Sequence, residues 1–502
     1  MAFIKQRWKA KKQPDTRTVS LENMNELLAA DTSSMIQQIK QIFVTDDLEI
    51  AHFEQNGAAT LFLNTLIETE RLQQDIVPRI RPWLDTSPLS WELFFPQATL
   101  VSTLAELIDS ILLGCVILIR DDLPGKAIAA PKRIEKGRSI EPPQLEKVLL
   151  GPQESFVEDF DTNASLLRKR VKDPNLVFHF FKIGQRSRTK VAVVFIKDIA
   201  KPEWVEEIET NLNKINIDRV STHKELMELI VGENHTVFPV YELTELPVRS
   251  AINLTLGRIG LLMEGSPFVA FLPTTLLSSF LGSEFVYQGT LIPTFVRFIR
   301  MLAFVVALYA PAVYLALVSV NSSVMPTEFA ISIAKDQEGI PYLSFFETFV
   351  MMLVMDILNE AMAFVPGNVG SALNVVGSLI IGDAAAKAGL VSKFMIIIAA
   401  LSSIGAFIAS YQVSYAVRLW KYPMLIAAGF FGFYGISIMT LVILGHLCAK
   451  KSLGVSYLSP ISPFNYKEVR SFIVEPDMSA QNVRGDTFQP QNKIRQRGDP
   501  DQ

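Results

Sequence analysis

Charged side chains punctuate the first 264 residues and then become sparse. Residues 301–327, 394–417 and 422–449 contain no Asp, Glu, Lys or Arg. Each run is long enough for the roughly 20 apolar residues that a membrane-crossing helix needs. The pattern predicts four spans, at 299–320, 366–388, 394–417 and 422–449, the second being the least apolar. The segment 343–363, LSFFETFVMMLVMDILNEAMA, is apolar but carries Glu347, Asp356 and Glu360. Asp356, Asn359, Glu360 and Ala363 fall on one helical face. That predicts an amphipathic helix lying in the membrane interface or against a wet cavity. A further charge-free run, 265–283, contains Pro267 and Pro273 and reads as a hairpin or an interfacial segment.

The charge-rich half has short strand-like runs and a weak internal repeat. LGCVILI (113–119) compares with LGRIGLL (256–262), and each turns and returns as a second strand, AIAAP or FVAFLP. The turns, RDDLPGK and MEGSP, hold the Gly and Pro that a reversal favours. Upstream, AATLFLNTLIET (58–69) and KVAVVFIKDI (190–199) are both strand-like and both lead into helix-like runs. Strand, helix and hairpin, occurring twice, predict two related α/β subdomains.

The expected fold is therefore an α/β cytoplasmic region of two related subdomains followed by an all-α multi-span membrane domain. Its expected parts are a flexible basic tail (1–20), subdomain 1 (21–135), a linker and helical connection (136–175) and subdomain 2 (176–284). A membrane domain (285–452) of about four spans plus the amphipathic helix follows, then a cytoplasmic tail (453–502) expected to be partly disordered.

Within 370–388, GSALNVVGSLIIGDAAAKA, small residues dominate and Ser378, Gly382 and Ala386 recur at every fourth position. That spacing suits close approach of helices in a bilayer. Asn374, Ser378, Ile381 and Ala385 make a second stripe, with Asp383 and Lys387 near its end. These six residues are the candidate pore lining, since small and aliphatic constrictions gate by dewetting. The plainer reading is that Asp383 and Lys387 snorkel from a helix end. Asp356, Asn359 and Glu360 are the candidate polar membrane face.

Charge placement gives a topology. Arg297 and Arg300 precede the first span, and Lys450 and Lys451 follow the last, so the positive-inside rule puts both ends in the cytoplasm. Arg418 and Lys421 then violate the rule. The opening MAFIKQRWKAKKQPDTR is basic without the apolar core of a secretory signal, which keeps the soluble half on the cytoplasmic side. Its cations suit anionic headgroups or a solvated tail equally.

The rest of the chemistry is sparse. A hydrophobic share of 49% with 20% charged residues combines a soluble part and a membrane part, and the net charge of −4 points to no nucleic acid. Cys115 and Cys448, one in each half, make no disulfide framework or metal spacing. The five histidines have no ligand spacing, and no phosphate loop, dinucleotide fingerprint, HExxH or GxSxG occurs. No catalytic, metal or cofactor site is expected. His446, near the end of the last span, suits a pathway or an interface. Arg168, Lys169, Arg170 and Lys172 suit a phosphate or an acidic partner, or a solvated helix face.

Several blocks, in order, resemble the A subunits of the GerA-type nutrient receptors of spore germination. They are SIEPPQLEKVLLGPQESFVEDFDTNASLLRKRVKDP (139–174), GQRSRTKVAVVFIKDIA (184–200), EGSPFVAFLPTT (264–275), MPTEFAISIAKDQEGIP (325–341), IGDAAAKAGLVS (381–392) and GVSYLSP (454–460). The resemblance implies a subunit of the inner spore membrane with a large cytoplasmic N-terminal region. It implies a transporter-like B partner that binds the nutrient and a lipoprotein C partner. It also implies a homo-oligomer, a pentamer, forming a ligand-gated cation channel. EAMAFVPGNVGSALNVVG (360–377) departs from the family pattern, which often has a basic residue there. Two alternatives stay open: a non-conducting scaffold or relay subunit of the same complex, and a secondary transporter. The transporter would place its repeat in the membrane half.

Overall fold

The structure, a computed structural model, describes residues 27–53, 57–67, 72–131, 142–144, 146, 151–232, 236–282, 289–363, 382, 384–408, 411–476 and 481–495. The chain divides into two compact units, Met1–Gly137 with Ala164–His179 and Ile196–Asp198, and Arg138–Asn163 with Phe180–Phe195 and Ile199–Gln502.

In the first unit, apolar runs become the inner strands of an antiparallel sheet. β1 (Leu48–Phe53), β2 (Ala58–Leu63), β3 (Thr99–Val101), β4 (Cys115–Ile119) and β5 (Ala127–Pro131) lie in the order β1-β2-β4-β5-β3. Successive side chains of a strand point to opposite faces, and here both faces are covered. Leu61, Leu63, Ile117, Ile119 and Ala129 pack with α1 (Thr32–Ile42) and α3 (Leu104–Leu112). Phe62, Val116, Leu118, Ile128 and Ala130 pack with Ile80, Trp83 and Leu84 of α2 (Val77–Leu84). This burial explains the apolar sequence of β2, interrupted only by the buried Thr60, and of β4. The helices start where side chains satisfy free N–H groups: Asp31 accepts from Ser34 N, and Thr103 and Glu106 form a capping box.

The second sheet repeats the order. β6 (Leu176–Ile183), β7 (Thr189–Ile196), β8 (Glu242–Thr244), β9 (Ile259–Met263) and β10 (Val269–Leu272) run β6-β7-β9-β10-β8. α4 (Phe160–Arg170) precedes it, α5 (Pro202–Lys214) and α6 (His223–Val231) follow β7, and α7 (Pro247–Thr255) precedes β9. The compared sequence runs occupy equivalent places, on β2 and β7, β4 and β9, β5 and β10. Registers match as well: Leu61 pairs with Ile117 and Ile117 with Ala129, as Val193 pairs with Leu261 and Leu261 with Ala270.

The apolar third is helical. α8 (Leu291–Leu315) runs on through a wider turn to Val320, and α9 (Thr327–Gln337), α10 (Ser344–Ala363), α11 (Lys393–Ile408) and α12 (Tyr411–Ala449) follow. Among the described residues two stretches are long and apolar enough to cross a membrane, Leu291–Val320 and Gln412–Ala449. Of the four expected spans, these stretches cover 299–320 and 422–449, and Lys393–Ala406 is a shorter apolar helix overlapping 394–417. The stretch 366–388 lies mostly outside the described residues, and the boundary drawn at 418–421 is helix interior.

α12 is a helical hairpin. A straight helix of its 39 residues would be about 58 Å long and would hold Trp420 and His446 roughly 39 Å apart. Their ring centroids are 5.5 Å apart. The reversal is at Gly432, whose φ of 60° and ψ of −136° are not helical. Glycine is needed there twice over, for the positive φ and because a Cβ would lie 2.0 Å from Asn321 Oδ1. The legs are residues 411–431 and 433–449.

The tail is more ordered than its polarity suggests. α13 (Tyr466–Ile473) forms a helix. Arg484 donates to Thr255 O at 2.8 Å, Gln491 N donates to Ile199 O at 2.8 Å, and Phe488 is buried. Tail groups are occupied in bonding backbone carbonyls at Ile199 and at Thr255 of α7, which composition does not reveal.

Candidate functional site

The polar face of α10 meets the first leg of α12. Asp356 pairs with Lys421 at 2.9 Å and accepts a hydrogen bond from the Tyr422 hydroxyl at 2.5 Å. Glu360 lies 3.6 Å from Arg418. Asn359 donates to Ser403 Oγ of α11 at 2.7 Å. Lys421 is nearly fully buried, its side chain 4% exposed, and the Asp356 side chain is 18% exposed.

Local sequence explains the register. Asp356 and Glu360 are four apart on α10, while Arg418 and Lys421 are three apart on the facing leg. Antiparallel packing then brings Asp356 to Lys421 and Glu360 to Arg418. Phe345 against Phe430, with ring centroids 6.3 Å apart, continues that register to the far end of α10. A Cβ on Gly429 would lie 3.5 Å from Leu315 and Phe433 N reaches Asn321 Oδ1, so contacts advance together along both chains and this leg runs parallel to α8. Lys421 then stands level with about residue 307, roughly 10 Å along the axis beyond Arg300, inside the charge-free run.

A buried ion pair at this depth is costly to leave half-made, and ionisable groups inside membrane bundles face the bundle interior or a pathway. The seam can hold two helices in one register while both charges are present, and it places acid, cation, amide and hydroxyl groups in a line between three helices. Of the polar residues on the amphipathic helix expected at 343–363, Asp356 and Asn359 face α12 and α11, while Glu360 reaches Arg418 with its side chain 51% exposed.

Close helix approach occurs beside the seam. A Cβ on Gly405 would lie 2.7 Å from Ala303 O, and Ser402 Oγ donates to Ala307 O at 2.7 Å. At the far end Glu347 is buried and accepts from Ser392 N and Ser392 Oγ, each at 2.7 Å, with the Tyr314 hydroxyl 2.9 Å from Ser392 Oγ.

Of the candidate pore residues, Asn374, Ser378, Ile381 and Asp383 lie outside the described residues. Ala385 is half-buried and Lys387 exposed, both on a helical turn. Arg168 is not part of an open basic face. It is buried and bonds both Asp47 carboxylate oxygens, at 2.8 and 3.0 Å, and Leu176 O at 2.8 Å. The sequence placed Arg418 and Lys421 between spans, as exceptions to the positive-inside rule, and did not single out Ser403, because two cations in four residues look like a loop. The available signal was the match of two acids with two cations in segments otherwise apolar.

The helical part joins the second sheet directly. Phe238 inserts among residues of the helical core, His446 Nε2 lies 3.0 Å from Thr236 Oγ1, and Leu243 N of the edge strand β8 donates to Gln412 Oε1 at 3.3 Å.

Comparison with known proteins places this geometry in context. Residues 32–487 match the family described as Bacillus/Clostridium GerA spore germination protein. Spore germination protein GerLA of Bacillus cereus is 33% identical over 389 residues, 77% of this chain and 79% of that protein. Spore germination protein B1 of Bacillus subtilis (strain 168) is 31% identical over 448 residues, 88% of this chain and 92% of that one. Spore germination protein KA of the same organism is 33% identical, covering 78% of this chain and 72% of its own. A crystal structure of the N-terminal domain of the A subunit of the Bacillus megaterium spore germinant receptor GerK3 is similar at 23% identity and a TM-score of 0.36, covering 51% of this chain and 97% of that domain. With a match reaching from the first helix of the first sheet to the ordered tail, the chain belongs to the GerA family of spore germination proteins.

Proposed function

We propose that this chain is the A subunit of a germinant receptor in the inner spore membrane, acting with B- and C-type subunits. In this reading copies of the chain, five in number, assemble into a ligand-gated cation channel whose opening starts germination. The observation that carries it is the buried pair Asp356–Lys421 inside an apolar helical bundle, continued toward the surface by Arg418 and the half-exposed Glu360. Family membership and the names of the relatives support the receptor role. Asn374, Ser378, Ile381, Asp383, Ala385 and Lys387 remain the proposed pore lining.

The test is ion flux from liposomes holding the purified protein, alone and with its partner subunits, after its oligomeric state is measured. A ring-forming protein whose flux changes about tenfold or more in D356N, K421Q and S378L supports a conducting role, a change of at least 1.4 kcal/mol in barrier. A monomer without flux in every combination would discard it. The non-conducting relay would then be favoured by the direct joint of Thr236 and Phe238 to the helices.

A further inference from the structure

A second polar cluster lies at the edge of the second sheet, around a residue from the segment between the sheets. Glu146 reaches Arg249 Nη1 at 3.1 Å. Its other oxygen accepts from Thr244 Oγ1 and, at 3.2 Å, from Glu245 N. Its own backbone N donates to Glu245 Oε1 at 2.5 Å. Around its carboxylate, then, stand a guanidinium, a hydroxyl and a backbone N–H. Around its N–H stands a carboxylate.

The cradle stands without Glu146. Arg249 Nε bonds Glu242 Oε1 at 2.7 Å, and Glu242 also bonds the buried Arg258 at 2.5 Å. Burial alone would raise the Glu242 carboxyl, but Arg249 and Arg258 hold it down, to about 2. Thr244 and Glu242 belong to β8, Arg249 to the first turn of α7, and Glu245 to the two-residue link that joins them, so elements on both sides position the donors. Glu146, by contrast, sits in a bend outside helix and strand. Burial raises its carboxyl, with Arg249 and Thr244 opposing only part of the effect.

We infer that Arg249, Thr244 and Glu245 form a binding site for a small zwitterion, and that Glu146 occupies it as a built-in stand-in. The spacing specifies the ligand. In Glu146 three carbons separate the backbone N from the carboxylate carbon, as they separate ammonium and carboxylate in 4-aminobutyrate. An ammonium in place of the amide N–H would give Glu245 a charge-assisted bond, roughly twice as strong as a neutral one. The inference does not depend on a channel role, since it concerns the second sheet alone.

The experiment is calorimetric titration of the full-length protein in detergent with 4-aminobutyrate, butyrate and butylamine. E146A should bind 4-aminobutyrate at least about tenfold more tightly than wild type, and more tightly than either single-charge probe, tenfold being 1.4 kcal/mol. Adding R249Q to E146A should remove binding, and adding E245Q should lower 4-aminobutyrate to the level of butyrate. A folded E146A protein that binds none of the three probes would overturn the site and leave Glu146 as a structural clasp. Equal binding of butyrate and 4-aminobutyrate by E146A would overturn the zwitterion assignment. Binding that survives R249Q would overturn the cradle. If E146A does not fold, E146S, which also empties the carboxylate position, is read by the same outcomes.

Discussion

At the scale of the residue, buried polar groups decide more than exposed ones. His223 lies inside the second unit, Nε2 3.3 Å from Leu261 O and Nδ1 3.0 Å from Ser266 Oγ. Burial outweighs the Leu261 carbonyl and pushes its pKa down from 6.5 to about 4. The unfolded chain therefore takes up a proton that the folded chain refuses. The stability this gives is complete above pH ~6.5 and is lost as the pH falls toward 4, up to about 3 kcal/mol. Denaturant midpoints measured from pH 7.5 to 4 should fall for wild type and fall clearly less for H223Q. Parallel curves would assign the acid loss elsewhere. Arg168 shows the same economy of buried charge: it satisfies Asp47 and closes a chain turn, so it is unavailable to a ligand. R168M should destabilise by about 3–5 kcal/mol, because Asp47 keeps its charge without its cation. Adding D47N should recover a good part of that loss in the same denaturation assay.

At the scale of the element, α12 turns on one glycine and one asparagine. Phe433 N, freed by the reversal, donates to Asn321 Oδ1 at 3.0 Å. An unpartnered buried N–H costs about 1–3 kcal/mol, and a non-glycine residue at such a φ is strained as well. G432A should disrupt the hairpin more than N321A does. Distances between spin labels at 419 and 444 report this directly: N321A should keep a narrow short-distance population, and G432A should broaden or lengthen it. An unchanged distance in G432A would show that the turn does not depend on that glycine. The helix starts in the first unit rest on single residues, Asp31 and the Thr103–Glu106 box. The hairpin was not, because 411–449 has helical composition on both sides of Gly432 and its partner Asn321 lies over a hundred residues away.

At the scale of the whole molecule, the second unit is a sheet tied to helices by a loop and a tail. Phe238 carries the loop into the helical core. Arg297 of α8 donates to Ser471 O and Phe472 O of α13 at 3.3 and 3.2 Å and pairs with Glu475. Glu468 of α13 accepts from Thr487 Oγ1, and Phe488 lies under the Arg258 guanidinium, 5.2 Å from it. An unbroken run of contacts thus joins the first apolar helix to the charge network of β8. Truncation after residue 480 should speed amide hydrogen exchange at 199–201 and 255–258 while leaving α10 and α11 unchanged. Equal exchange in the two proteins would show that the tail adds no order to the sheet.

The sequence by itself determined the apolar runs, the helical spacing of their polar residues, the turns and the repeat of strand, helix and hairpin. These are properties of neighbours along the chain, and local burial and backbone preference act through neighbours. The strand matches were legible because a strand buried on both faces reads as a continuous apolar run bounded by a turn a few residues away. Only the tertiary structure decided that Arg418 and Lys421 are helix interior, that Glu146 faces Arg249 and that Arg168 faces Asp47. A charge in a linear sequence carries no mark of whether it meets water or a partner. Which of these happens depends on a counter-ion brought near by packing, and its energy changes from negligible to several kcal/mol with burial.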